Sequence, residues 1–231
     1  MRSLTVFILL LLALNANSQD SMKVIYVYDA LCGWCYGFSP VITEMEKKYS
    51  SEIDFEVVSG GMVTGDRIGP IGEVAGYIKT AYKDVERATG VEFGERFLNE
   101  TLEEGQAIFT SIPPAIAMAV FKSQRPKEQI AFAAALQKAV YYEGKHPADY
   151  ETYGDLARDF GLDSAAFIAQ MKEAKYQELA YKDFQKSAEL GVRGFPTVFI
   201  YKDGQYEQIA HGYTPLEAFE KRIKERLEEE K

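Results

Sequence analysis

Strand signals lie only near the two ends of this chain, so any sheet it forms must join segments separated by most of its length. Lys23-Val24-Ile25-Tyr26-Val27-Tyr28 is an apolar and aromatic run of strand length, stopped by Asp29-Ala30-Leu31, and its near lack of polar residues predicts a central strand. Asp54-Phe55-Glu56-Val57-Val58 alternates polar and apolar residues, as a half-buried strand does, and Gly60-Gly61 ends it. Far downstream, Pro196 to Tyr201 has strand composition, Asp203-Gly204 is a hairpin turn, and Tyr206 to Ala210 returns.

Between Gly61 and Gly191 the chain is rich in Ala, Glu, Lys and Leu, with no convincing strand, and should be mostly helical. Ser111-Ile112-Pro113-Pro114 has the form of a helix start that continues through Lys122, since proline is tolerated in a first turn. Helices are also predicted over Ile130 to Tyr142, over Tyr153 to Phe160, over Ser164 to Lys172 with Asp163 as cap, and over Tyr176 to Leu190. Outside the block, a helix is predicted from Cys32 onward, with Val41, Ile42, Met45 and Tyr49 on one face and Pro40 predicting a kink. The last helix has Thr214 as cap, Pro215 in its first turn, Glu217 completing a capping box, and Leu216, Phe219, Ile223 and Leu227 along one face. No repeat or low-complexity linker divides the chain, which predicts one α/β domain.

The first residues add a leader. Met1-Arg2-Ser3 precedes an apolar run from Leu4 to Leu14, shorter than the roughly 20 residues of a membrane span, and Ala16 and Ser18 suit a cleavage site. Residues 1–18 are therefore expected to be a signal peptide, giving a periplasmic or secreted protein with no stable membrane anchor; an uncleaved anchor or a buried helix is the alternative. The net charge is -9, and loss of Arg2 with the leader takes it to about -10. With its Lys and Arg residues interspersed among Glu, the chain has no basic stripe for nucleic acid. The short segment before Lys23 suggests a monomer, although a helical block could dimerise.

The chain has two cysteines, Cys32 and Cys35, in Cys32-Gly33-Trp34-Cys35. A disulfide between them would close so small a loop that it constrains the unfolded chain little, which makes stability a poor reason for the pair. A closed zinc site wants four ligands, and His146 and His211, the sole histidines, lack ligand spacing to the cysteines. At a helix start, unpaired N–H groups and the helix dipole favour the thiolate, which places Cys32 as the attacking sulfur and Cys35 as its resolving partner. Redox exchange is therefore preferred to a structural disulfide or a metal site, with no cofactor beyond the redox-active Cys32–Cys35 pair.

Together with Gly191-Val192-Arg193-Gly194-Phe195-Pro196-Thr197, this motif resembles the thioredoxin superfamily, and more narrowly the DsbA-like thiol-disulfide oxidoreductases of the FrnE-like branch, which share a fold with the 2-hydroxychromene-2-carboxylate isomerases. The matching residues are Asp29, Cys32, Trp34 and Cys35, the helical block, Ala188 to Val192 leading into Phe195-Pro196-Thr197, and Gly212. The resemblance implies a thioredoxin-like α/β fold with a large helical insertion between the second strand and the cis-proline strand: a core of residues 22–61 and 174–231, an insertion of 62–173, and one domain over 19–231. It implies that Pro196 shields the cysteines and that Phe195 offers backbone groups to substrate, the substrates being protein thiols and disulfides, with a redox partner that the sequence does not name. Gly33 stands where the branch often has proline, and Phe195 is bulkier than its usual Thr or Val.

Other residues near the motif have two uses each. Asp29 is either a proton relay for Cys35 or a cap or loop residue. Trp34 and Tyr36 either form an aromatic rim beside the sulfurs, with Trp34 touching substrate, or pack on the insertion. Arg193 suits a surface ion pair better than a role at the cysteines, and both histidines have structural readings. Two other functions fit the same fold: a glutathione-dependent isomerase, which typically has serine where Cys32 stands, and a non-catalytic peptide-binding or chaperone-like module.

Overall fold

The computed structural model describes residues 22–228, and the expected signal peptide lies outside them. Strand β1 (Lys23–Tyr28) leads into α1 (Gly33–Tyr49) and then β2 (Asp54–Ser59). Strands β1 and β2 pair in parallel, with Val24 opposite Phe55 and Val27 opposite Val58, a pairing that needs a crossover such as α1. Helix α1 continues as one element past Pro40.

Before the chain returns to this sheet it forms β3 (Gly69–Pro70), α2 (Ala75–Thr89), α3 (Leu102–Glu104) and β4 (Ile108–Phe109). Then come α4 (Ile112–Gln124), α5 (Gln129–Tyr141), α6 (Tyr150–Asp159), α7 (Ser164–Met171) and α8 (Ala174–Glu189). The block is thus not purely helical: β3 and β4 pair antiparallel, and two-residue strands are too short to leave a periodic signal. Helix α6 starts at Tyr150, earlier than the apolar pattern indicates, because Asp149 accepts a hydrogen bond from the Glu151 N–H at 3.0 Å and caps it. Asp163 caps α7 through the Ala166 N–H at 2.6 Å.

Strands β5 (Thr197–Lys202) and β6 (Gln205–His211) form a hairpin, and β5 lies antiparallel to β1, giving the order β2-β1-β5-β6. The turn needs two consecutive positive φ angles, and Asp203 (49°) and Gly204 (80°) supply them. Helix α9 (Leu216–Glu228) closes the fold with Phe219 and Ile223 buried, Phe219 edge-on to Phe38 of α1 at 5.2 Å. Leu216 departs from the expected apolar face, being 39% exposed at the first residue of α9, where the helix has yet to dock.

Alternation along β1 sorts two cores. Val24, Tyr26 and Tyr28 face the large cluster with Phe38, Ile42, Val120 and Phe132, whereas Ile25 and Val27 face Val58, Phe199, Leu190 and Val192. The edge strand β2 is covered by side chains of the insertion and of α8, which keeps its backbone from pairing with another chain. Gln129 accepts from the Val57 N–H at 2.8 Å and donates to the Phe55 carbonyl at 3.1 Å. Lys122 donates to the Val57 carbonyl at 2.7 Å, and Asp183 accepts from the Ser59 N–H at 3.1 Å while pairing with Lys122.

Glu46 on α1 is half-buried, and burial together with the charge of Glu128 pushes its carboxyl up from 4.5 to about 7. With the folded-state value above the unfolded one, Glu46 contributes stability that is complete at acidic pH and lost as pH rises through about 7. Glu46→Gln is expected to flatten the fall in Tm across that window in thermal melts at a series of pH values.

Candidate active site

Helix α1 begins one residue after Cys32, which is its N-cap, with φ -94° and ψ 112°. The Cys32 sulfur takes the place of the oxygen that usually caps a helix, accepting from the Cys35 N–H at 3.4 Å. A thiolate there gains that hydrogen bond and the helix dipole. Cys35, one turn along, is fully buried, and burial, with the Cys32 thiol close by, pushes its pKa well up, while the Asp29 N–H pulls the other way. Cys32 keeps 7% of its surface exposed and Cys35 none, so an incoming sulfur meets Cys32 first. Both are free thiols in this structure.

On the other side of Cys32 lies the loop before β5. The Phe195–Pro196 peptide bond is cis, and the Cys32 Sγ donates to the Phe195 carbonyl at 3.4 Å across 163 residues of sequence. The loop is tied down by Thr197, whose hydroxyl donates to the Gly194 carbonyl at 2.8 Å, and by the Gly212 N–H donating to the Pro196 carbonyl at 2.7 Å. The His211 Nδ1 lies 3.2 Å from the same Thr197 hydroxyl, so His211 helps to hold this loop.

The turn between β1 and Cys32 is held largely from outside the core strands. The Asp29 carboxylate accepts from the Leu31 N–H at 2.9 Å, the Ser111 hydroxyl at 2.9 Å and the Met62 N–H at 2.7 Å. Burial raises its pKa, and these hydrogen bonds oppose the rise. Gln137 donates to the Asp29 carbonyl at 3.5 Å, and the Tyr141 hydroxyl donates to the Leu31 carbonyl. Ser111, Gln137 and Tyr141 thus position the N-terminus of α1.

Residues 23–224 match the DSBA-like thioredoxin domain. The chain belongs to that family. Among solved structures, a provisional protein disulfide isomerase from Nitrosomonas europaea is similar at 25% identity and TM-score 0.80, covering 91% of this chain and 99% of that one. The cytosolic disulfide reductase DsbM from Pseudomonas aeruginosa is similar at 27% identity and TM-score 0.77, covering 89% and 98%. A 2-hydroxychromene-2-carboxylate isomerase shares the fold at 14% identity and TM-score 0.63, covering 90% and 97%. No curated protein sequence matches the chain. As a DSBA-like protein it is a thiol-disulfide oxidoreductase.

Several residues of this DSBA-like domain gain a definite place. Tyr36 packs on Phe93 at 5.3 Å and Tyr141 at 5.6 Å and donates to the Glu92 carbonyl at 2.9 Å, which commits it to the insertion. Half-buried Trp34 lines a groove of about 380 Å³ with Tyr77, Thr80, Ala81 and Asp84 of α2. Arg193 is exposed and has no ion pair among the described residues, contrary to the expected surface pair. His146 is exposed in the loop before α6.

The bulk of Phe195 has a structural counterpart that its own sequence neighbourhood does not reveal. A Cβ on Gly60 would lie 2.1 Å from the Phe195 ring, and one on Gly61 2.8 Å from the Phe184 ring. The glycine pair read as a strand end therefore also makes room for two aromatic rings. Gly60→Ala is expected to cost about 1–3 kcal/mol by overpacking, seen as a lowered denaturation midpoint. Adding Phe195→Val should recover most of that loss, since it removes the ring that the new methyl meets.

Proposed function

We propose that this enzyme, exported after removal of residues 1–18, exchanges disulfides with protein substrates through Cys32 and Cys35. The observation that carries the proposal is the Cys32 sulfur set between the Cys35 N–H at the helix start and the Phe195 carbonyl of the cis-proline loop. Cys32, as thiolate, attacks a substrate disulfide; a mixed disulfide forms and the first substrate sulfur leaves as thiolate. Cys35 then attacks the Cys32 sulfur, closing the Cys32–Cys35 disulfide and releasing the second substrate thiolate. Read backwards, the same steps oxidise a substrate dithiol. No cofactor is needed beyond the cysteine pair and a redox partner that restores its starting state.

Phe195 offers its backbone to the substrate strand beside Cys32, Pro196 shields the pair from solvent, and Trp34 opens the groove toward α2 for apolar substrate residues. In domain terms the core of 22–61 and 174–231 carries both halves of the site, and the insertion of 62–173 braces the turn at Asp29. The enzyme acts as a monomer.

Similarity to DsbM, a cytosolic disulfide reductase also solved with GSH, favours reduction of substrates at the expense of glutathione as a second reading. Fractionation and intact-mass measurement test the first: a periplasmic or secreted species beginning near Gln19 is expected. A full-length cytosolic species that reduces a disulfide-bonded protein with glutathione as electron source would replace it by the second.

A further inference from the structure

The groove beside Trp34 joins two aromatic rings to one carboxylate. Helix α2 brings Tyr77, Thr80, Ala81 and Asp84 to it, residues three and four apart that share one face of the helix. That face is held close to α1 by Gly37, where a Cβ would lie 2.7 Å from Thr89 and 2.9 Å from Val85, the buried residue of α2. A side chain at Gly37 would push α2 away, so the glycine fixes how far Tyr77 stands from Trp34. Trp34 lies between the two cysteines in sequence, and Tyr77 is 72% exposed despite its ring.

Asp84 is the one charged residue lining the groove among the described residues. Arg87 takes its Oδ1 at 2.9 Å, but the two side chains are 75% and 56% exposed, and a pair so well hydrated contributes little. The neighbouring charges of α2 are engaged elsewhere. Lys79 pairs with Glu103 at 2.8 Å, Lys83 lies over the Tyr82 ring at 5.8 Å, and Glu86 accepts from the Phe93 N–H at 2.8 Å.

Aromatic faces attract cations, and a guanidinium stacks on them while its fork of N–H groups pairs with a carboxylate. An arginine also carries an apolar stem that can lie along rings and methyl groups. We propose that this groove takes an arginine side chain of the protein substrate, close in sequence to the substrate cysteine. Its stem lies along Ala81, and its guanidinium rests against Trp34 and Tyr77 and donates to Asp84. The inference rests on the reading of Cys32 as exchanging disulfides with protein substrates, and it names a feature of those substrates. A purely apolar side chain would use the rings and leave Asp84 unused, whereas an acidic one would meet a like charge. The net charge of -9 draws the same basic partners from a distance.

Short peptides with one cysteine, each carried as a mixed disulfide with nitrothiobenzoate, test this against the dithiol protein. Release of the coloured thiol, the better leaving group, reports attack by Cys32 on the peptide sulfur. Arginine, its uncharged isostere citrulline, norleucine or glutamate is placed at each of the two positions on either side of the cysteine. At one of these positions the arginine peptide is expected to react about tenfold faster than the citrulline and norleucine peptides, with glutamate slowest. Asp84→Asn should cut the ratio of arginine to citrulline, and Asp84→Lys should put glutamate ahead of arginine. Tyr77→Leu should lower the ratio of arginine to norleucine. Each ratio is taken within one protein, so a change in stability does not imitate it. Equal rates for arginine and norleucine at every position would overturn the proposal. So would an arginine preference that Asp84→Asn leaves intact, since overall charge alone would then account for it. A wild-type protein that reacts with none of the peptides would instead overturn disulfide exchange with protein substrates.

Discussion

Cys32→Ser is expected to bring disulfide exchange down to background, a loss of roughly three orders of magnitude or more, because the nucleophile is gone and nothing else at the site can replace it. Cys35→Ser should behave differently. Its Cys32 sulfur keeps the helix start and the Phe195 carbonyl, so attack proceeds, but the mixed disulfide cannot be resolved from within. Substrate proteins should then remain covalently attached, visible as a mass increase that reductant reverses. The asymmetry follows from geometry: 7% of Cys32 meets solvent and none of Cys35 does. If the two serine variants trapped substrate equally, the order of attack would be wrong.

Asp29→Ala carries the second large effect, this time on stability. The carboxylate is 2% exposed and satisfies the Leu31 N–H, the Met62 N–H and the Ser111 hydroxyl. Removing it leaves two buried donors and one partly buried donor, the Met62 N–H, without an acceptor, at about 1–3 kcal/mol for each buried one before relaxation. A net loss of about 3 kcal/mol is expected, a fall of roughly 10 °C in Tm for a domain of this size. Asp29→Asn should lose less, because its one oxygen can still accept, although its amide would face an N–H.

The same residue has a pH signature. Burial raises its pKa above 3.8, so its ionisation costs more in the folded than in the unfolded protein. Its contribution is complete below the unfolded value and is lost as pH rises through the folded one. The stability difference between wild type and Asp29→Asn should therefore shrink as pH rises above about 3.8. If Asp29→Asn slowed exchange strongly without lowering Tm, a proton relay would account for Asp29 better than a brace for the turn.

Much of this was legible in the residues because it is local. The apolar run of β1, the alternation of β2, the helix start at Cys32, the Asp203-Gly204 turn and the Asp163 cap each depend on a few adjacent side chains, whose chemistry states the conformation directly. What escaped depends on residues far apart. Ser111 has the form of a helix start, and the structure turns its hydroxyl to a carboxylate 82 residues earlier. Gly60-Gly61 marks a strand end, and only the fold brings the rings of Phe195 and Phe184 against it. Gln129 carries no sign in sequence that it would close the edge of β2. Leu216 and the β3–β4 pair show the opposite failing, in which local pattern reaches into a helix end or misses strands too short to have one.

Equilibration of the protein in glutathione buffers of graded redox poise, with free thiols counted after acid quenching, tests the role of the cysteine pair most directly. Two thiols should disappear together along a single two-electron curve, with Cys32 and Cys35 forming one reversible disulfide, and the midpoint of the curve sets the direction of the reaction. Two thiols that persist at every poise, or that are lost one at a time as separate glutathione adducts, would contradict that role.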